Sequence, residues 1–525
     1  MGIIERRGPS RRTVLVGGAA AVGVGIAGFV AACAGPTPSP SSTASGADPR
    51  TWAELASATG GRLVRSGDAA WDTDRVLENP RFDDADPRGI LRAASESDVL
   101  AGLAFARNTG TPVALRSGGH SYTGWSAGGA PGTNVPASLV ISTADIDHVV
   151  VSSDGGTVRV GPGARLAAVY DTLAAHGRAI GAGSCPTVGV GGLTLGGGVG
   201  VLVRSLGLTC DQLEAVTIVT ADGTVHDVDA SSTGSDADLF WACRGGGGGT
   251  VGVVTELTFR TVPAPPVLVF SLTFPWTAAA SVVAAWQDWA PSADPRLWST
   301  LKLLAGAAHP DGPVVSLTGT WTGPQHGADQ SVDAFIARTG VTPLTHTATP
   351  QTYGDAMRAL AGCSGLTLAQ CSTGPGGRLQ RVPEAATSSI GRQTLTGPEI
   401  DTLVAEVGRA AAVDGLSEGG VSLDALGGAV GKPAPADTVF PWRDALWTAQ
   451  YTAVFADGAD PAPFDAYVRG FRSAMTPAWG DAAYANYLDA TITDPAAYFG
   501  DNTARLRRIV RRVDPKSRFA QPDGL

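Results

Sequence analysis

The sequence predicts an α+β fold of two packed units, and three observations lead there. Apolar stretches of strand length and amphipathic stretches of helix length mix without the strict alternation that a doubly wound sheet requires. At 525 residues the chain exceeds one ordinary domain. Around Pro263-Ala264-Pro265-Pro266 the composition shifts, which marks a boundary. The expected organisation is a leader and tether over residues 1–47, a first domain over 48–262, a second over 263–477, and a segment over 478–525 that returns to the first domain.

With 43% hydrophobic and 16% charged residues, the chain can bury a large core. A net charge of −10 argues against nucleic acid or an anionic membrane surface as a partner. Seventy glycines and 35 prolines cluster in motifs rather than recurring at a fixed period, so no repeat architecture is expected.

The leader carries Ser10-Arg11-Arg12-Thr13-Val14-Leu15, which resembles a twin-arginine export signal, followed by a weakly hydrophobic run rich in Ala and Gly from Val14 to Cys33. The run is long enough to span a bilayer, so a membrane anchor is the alternative. Val30-Ala31-Ala32-Cys33 resembles a lipobox that would acylate Cys33, and Ala32-Cys33-Ala34 also fits ordinary signal-peptidase cleavage. The Pro, Ser and Thr of residues 34–47 make a tether.

In chain order, Val99, Leu103 and Ala106 recur at helical spacing after Ser95-Glu96-Ser97-Asp98, a capping sequence. Strands are expected at Pro112 to Leu115, Leu139 to Ile141 and Val158 to Val160, then a helix through Leu166, Val169, Tyr170 and Leu173. Val216 to Thr220 and Val225 to Val228 flank the turn Ala221-Asp222-Gly223-Thr224 and form a hairpin. A further strand covers Val251 to Phe259. Beyond the boundary, Ala278 to Trp289 is helical, and Trp298 to Leu304, Val314 to Trp321, Val421 to Leu426 and Thr448 to Phe455 are strands of an antiparallel sheet covered by helices.

Two glycine-rich stretches carry the chemistry. Arg116-Ser117-Gly118-Gly119-His120-Ser121 ends a strand abruptly, and its consecutive amides suit a pyrophosphate. From Gly183 to Asp211, Cys185 heads a run that includes Gly189, Gly191, Gly192, Gly197 and Gly200. Glycine weakens helix and strand interiors alike, so this run is expected to be irregular backbone packed against something flat. One histidine and one cysteine in such settings suggest a large cofactor with two attachment points. A Rossmann site fits poorly, because Gly189-Val190-Gly191-Gly192-Leu193-Thr194 lacks the third glycine. No metal site is expected, since there is neither an H-E-x-x-H nor a paired C-x-x-C. Cys363 and Cys371 lie in a loop-like GCSGLTLAQCS and read as a short disulfide, while Cys210 and Cys243 read as small buried hydrophobes.

These two stretches, together with Trp241 to Gly249, Gly427-Gly428-Ala429, Tyr484-Ala485-Asn486-Tyr487 and Tyr498-Phe499-Gly500-Asp501-Asn502, resemble the berberine-bridge-enzyme-like flavoproteins of the vanillyl-alcohol-oxidase (PCMH-type) fold. The resemblance covers almost everything after about residue 60. It implies FAD bonded twice, from His120 to the 8α methyl and from Cys185 to carbon 6 of the ring. Val254 and Asn486 would lie against the cofactor. It also implies that Tyr487, with Tyr484 beside it, takes a hydroxyl proton while hydride leaves the substrate carbon. Phenol is a weak base near pKa 10 and needs a partner, for which Asp424 is the candidate; a solvated strand-end carboxylate is the competing reading of Asp424. Val188 stands where family members gate oxygen, and a small side chain there resembles the oxidases. Thr250-Val251, Trp442 and Val510 depart from the family pattern without touching either anchor.

The expectation is therefore an exported, monomeric FAD-linked oxidase acting on a small-molecule alcohol with molecular oxygen as acceptor. Membrane contact would run only through a lipid on Cys33. A dehydrogenase with another acceptor and a non-catalytic surface lipoprotein are the alternatives.

Overall fold

The computed structural model describes residues 48–519. The export signal, Cys33 and the tether expected above lie outside them. The helix Glu96–Thr109 starts where Ser95 accepts the Asp98 amide at 3.2 Å and ends at Gly110, whose φ of 70° suits glycine. Its Val99, Leu103 and Ala106 are fully buried. This helix connects the strands Gly89–Arg92 and Val113–Arg116, which both pair in parallel with Leu139–Ser142 between them. The crossover is a local parallel unit, whereas the other paired strands among the described residues run antiparallel apart from a parallel bridge between Val113 and Phe519.

A second sheet is antiparallel throughout, in the order Val149–Val151, Thr157–Val160, Val253–Arg260, Leu213–Val219, Val225–Asp229. It contains the expected hairpin.

The third sheet has seven antiparallel strands in the order Thr345–Gln351, Val267–Phe274, Val314–Trp321, Leu297–Ala305, Leu416–Ala425, Trp447–Phe455, Glu384–Gly391. Three of these were not expected. Thr345–Gln351 is polar with a proline, and Glu384–Gly391 is made of small residues, so neither shows an apolar run; Val267–Phe274 was hidden behind the proline-rich boundary.

Period-two alternation sorts the two faces of this sheet. Along Leu297–Ala305, Leu301, Leu303 and Ala305 enter a core shared with the helices Ala279–Trp289, Gly397–Gly408 and Ala462–Trp479. Trp298, Thr300 and Lys302, on the opposite face, line a cavity.

The tail closes on the first half of the chain. Arg505 and Arg512 of the helix Thr503–Val513 pair with Asp238, and Val113 donates its amide to the Arg518 carbonyl at 2.8 Å. Cys363 and Cys371 form the expected disulfide. Among the described residues, no helix is long and apolar enough to cross a membrane.

Candidate active site

Glycine lets two distant segments touch. A Cβ on Gly118 would meet the Gly189 amide nitrogen at 2.1 Å, and one on Gly189 would meet the Ser117 hydroxyl at 2.2 Å. The turn bearing His120 and the segment bearing Cys185 therefore pack backbone against backbone. The Ser117 hydroxyl donates to the Pro162 carbonyl at 2.6 Å. Arg165, which sequence reasoning missed, ties the same pieces together: its guanidinium donates to the Gly118 carbonyl at 2.7 Å, to Glu78 Oε1 at 3.2 Å, and to the Thr187 carbonyl.

Both expected anchors converge on one hydroxyl. Thr187 Oγ1 lies 3.0 Å from His120 Nε2 and 3.6 Å from Cys185 Sγ. Burial, reinforced by the Arg165 charge and opposed by Thr187, pushes the His120 pKa down to about 3, so the imidazole is neutral and nucleophilic. Cys185 is exposed to the cavity, whereas Cys210 and Cys243 are buried thiols. Thr187 follows Cys185 by two residues, inside a motif the sequence already marked.

The cavity beside them holds about 1120 Å³. Arg116, Gly118, Gly119, Ser121, Val188 and Val254 contribute to one side of it, with Ser117, Gly189, Gly191, Gly192 and Gly200 from the two glycine stretches. FAD fits this wall. A Cβ on Gly192 would have no atom within 4 Å, and one on Gly248 would meet only the Gly192 Cα at 3.7 Å, so both glycines keep space free for a ring. Arg116 Nη2, Ser126 Oγ and Trp298 Nε1 are buried without a protein partner around the same cavity, as donors awaiting a polar ligand would be.

Three expectations need correction. The glycine run is not irregular throughout: Val190–Leu195, including Gly191 and Gly192, is a short helix, and within it Gly191 packs against Pro162, where a Cβ would come within 2.8 Å of the proline Cβ. Gly197 does not line the cavity; its φ of 117° makes a turn against the Tyr484 ring. Tyr484 itself is buried behind the wall, and its hydroxyl accepts the amides of Gly198 and Val199 at 2.8 and 3.0 Å. It holds backbone and does not face a substrate. Asn486 shares this work, donating to the Leu193 carbonyl at 2.9 Å and to the Tyr484 hydroxyl at 3.0 Å, and it also lines the cavity.

The opposite wall is the polar face of the seven-stranded sheet. Register puts Thr300 opposite Asp424 and Lys302 opposite Ser422, while Ser422 pairs with Gln450 and Asp424 with Thr448. Tyr487 closes this side, edge-on to Tyr122 at 5.7 Å between ring centroids and to Tyr484 at 5.0 Å. Gln450 donates to the Tyr122 hydroxyl at 2.8 Å.

The electrostatics alter the role expected of Asp424. Burial drives the Tyr487 phenol well above its ordinary pKa, and the Asp424 charge pushes it further up. Asp424 therefore does not lower the phenol's pKa. Burial also raises the Asp424 carboxyl itself, against the Thr300 and Thr448 hydroxyls and the Lys302 charge, which makes it a better proton acceptor than an exposed carboxylate. Glu384, also missed, is pushed up to about 7 by burial, opposed by Lys302. The signal for these residues was polar alternation along the strands, visible in Trp298-x-Thr300-x-Lys302 and Ser422-x-Asp424.

Comparison with known proteins now bears on the site. An FAD-binding-domain model matches residues 87–229, and a "berberine and berberine like" model matches residues 483–525. The uncharacterised FAD-linked oxidoreductase YgaK of Bacillus subtilis is 30% identical over 465 residues, covering 87% of this chain and 95% of its own. The chain belongs to the berberine-bridge-enzyme-like family of FAD-linked oxidoreductases. As a family member it is an FAD-dependent oxidoreductase acting on a small-molecule donor. A chitooligosaccharide oxidase of Gibberella zeae is 29% identical over 475 residues, covering 87% of this chain and 91% of its own. BBE-like 1 of Physcomitrella patens shares the fold, with a TM-score of 0.80 over 89% of this chain and 98% of its own, at 24% identity.

Proposed function

We propose that this chain is an exported flavoprotein oxidase that carries FAD bonded at both His120 and Cys185, oxidises an alcohol carbon of a carbohydrate or another secondary alcohol, and returns the electrons to dioxygen as hydrogen peroxide. The observation that carries the reading is the convergence of His120 and Cys185 on the Thr187 hydroxyl at the edge of the cavity. When bound, FAD supplies the hydride acceptor. The remaining work falls to the chain. Tyr487 removes the donor's hydroxyl proton as its C–H bond breaks, and Asp424 accepts that proton in turn. Tyr122, oriented by Gln450, packs against the Tyr487 ring.

Substrate class rests on the sheet face and on a relative. Hydroxyl, amide and carboxylate side chains at Thr300, Ser422, Asp424 and Gln450 suit a polyhydroxylated donor. A chitooligosaccharide oxidase among the relatives supports the same class. Val188 beside Cys185 leaves room for oxygen. The twin-arginine-like leader supports export of the folded, cofactor-loaded protein, with Cys33 as an optional lipid site and the mature protein a monomer.

Acid precipitation of the purified mature protein tests the core of this reading. A yellow pellet with one FAD mass retained is expected, followed by peroxide release on a panel of oligosaccharides. A colourless pellet with the bare polypeptide mass would overturn covalent attachment. Substrate-dependent dye reduction without peroxide would replace oxidase by dehydrogenase.

A further inference from the structure

Behind His120 lies a carboxylate that the hydride chemistry does not use. Glu78 Oε1 stands 3.8 Å from His120 Nε2 and 3.2 Å from the Arg165 guanidinium. Its other oxygen, Oε2, accepts the Thr373 hydroxyl at 2.7 Å. Thr373 belongs to the segment that follows Cys371 of the disulfide. Both oxygens of Glu78 are thus held by groups other than the histidine, and its side chain is only 12% exposed. Such a carboxylate is a fixed feature of the histidine's surroundings.

We propose that Glu78 is the proton acceptor that readies His120 for covalent attachment of FAD, positioned for that task by Arg165 and Thr373. The proposal rests on the covalent reading given above. A carboxylate beside Nε2 favours the tautomer with its proton there and leaves the Nδ1 lone pair free. Attachment breaks one C–H bond of the flavin's 8α methyl, whose proton leaves to solvent, and forms a C–N bond from that lone pair. The electron pair of the broken bond passes into the ring system and then to dioxygen, which takes it with two protons as hydrogen peroxide. The imidazolium made by the new bond is a strong enough acid to give its Nε2 proton to Glu78. In this structure the hydrogen-bond partner of Nε2 is the Thr187 hydroxyl at 3.0 Å, and Glu78 stands beyond hydrogen-bond reach at 3.8 Å, so the Nε2–Glu78 contact has to shorten when the cofactor fills the site, as catalytic hydrogen bonds often do on loading.

Mass analysis of proteolytic peptides from the purified full chain reads the His120 and Cys185 attachments separately. Glu78→Gln keeps the shape but cannot take a proton; attachment at His120 is expected to slow about a hundredfold while attachment at Cys185 continues. Glu78→Asp should restore most of the His120 adduct. Thr373→Val, which leaves the carboxylate but releases one tether, should give a smaller loss and keeps the proposal testable if the Gln variant fails to fold. Wild-type levels of His120 adduct in both Glu78→Gln and Thr373→Val, or failure of Glu78→Asp to exceed Glu78→Gln, would overturn the role of Glu78. Wild-type protein without any His120 adduct would instead overturn the covalent reading, and this proposal with it.

Discussion

The Tyr484 hydroxyl accepts the Gly198 amide at 2.8 Å, and through this contact the tail of the chain holds the glycine run in place. Val199 donates to the same oxygen at 3.0 Å. Replacing Tyr484 by Phe leaves two buried amides without their acceptor, which costs about 1–3 kcal/mol each when no water substitutes. Tyr484→Phe should therefore lower the denaturation midpoint and loosen flavin retention. Flavin reduction in the molecules that stay loaded should change little. A large loss of reduction rate at unchanged stability would return Tyr484 to the chemistry.

Tyr487 is the contrasting case, because it lines the cavity. Tyr487→Phe should slow reduction of the flavin by substrate about 10²- to 10⁴-fold, the range for losing a positioned acid–base group, with FAD still bound. Asp424→Asn should slow the same step if the carboxylate receives the proton. Stopped-flow absorbance at the flavin band measures both. Unchanged kinetics in either variant would remove that residue from the mechanism.

The two proposed anchors are expected to make separable contributions. Cys185→Ala and His120→Ala should each leave FAD attached through the remaining residue, seen as retained flavin mass after acid treatment, with slower turnover. Loss of all covalent flavin in one single variant would mean that the second bond forms only after the first.

How far the site could be read in advance depended on where its information lies along the chain. His120, Cys185 and Thr187 sit inside short motifs whose glycines announce themselves, because close backbone approach tolerates no side chain. Arg165, Glu78 and Thr373 come from three remote segments, and no local pattern marks an arginine that will reach two carbonyls and a carboxylate. The substrate wall was half legible. Strands with an apolar face, such as Leu297–Ala305, were found, while Glu384–Gly391 was missed because pairing along one edge with Trp447–Phe455 and burial of its small residues sustain a strand that composition alone would not predict. Tyr484 and Tyr487 look alike in sequence, and only packing tells which hydroxyl faces the cavity.

Val188 tests the electron acceptor. It lines the cavity three residues after Cys185. Val188→Ile adds one methylene beside the expected oxygen path. Reoxidation of reduced enzyme by dioxygen should slow while anaerobic reduction by substrate stays as it was. Equal reoxidation rates would show that oxygen arrives elsewhere.

Glu384 gives a pH dependence with a definite sign. Burial raises its carboxyl from 4.5 to about 7 in the folded protein. Between those values the unfolded chain has already released the proton that the folded chain still holds, so stability falls as pH rises through this window and levels off above it. Partial opening of the side chain to the cavity keeps the effect to about 1–3 kcal/mol. Glu384→Gln cannot titrate and should be more stable relative to wild type at pH 8 than at pH 5, measured by chemical denaturation at fixed flavin loading. A difference between the two proteins that is the same at both pH values would mean that Glu384 titrates as an ordinary exposed carboxylate. In that case it would carry its charge throughout the working range, and burial would not set its protonation.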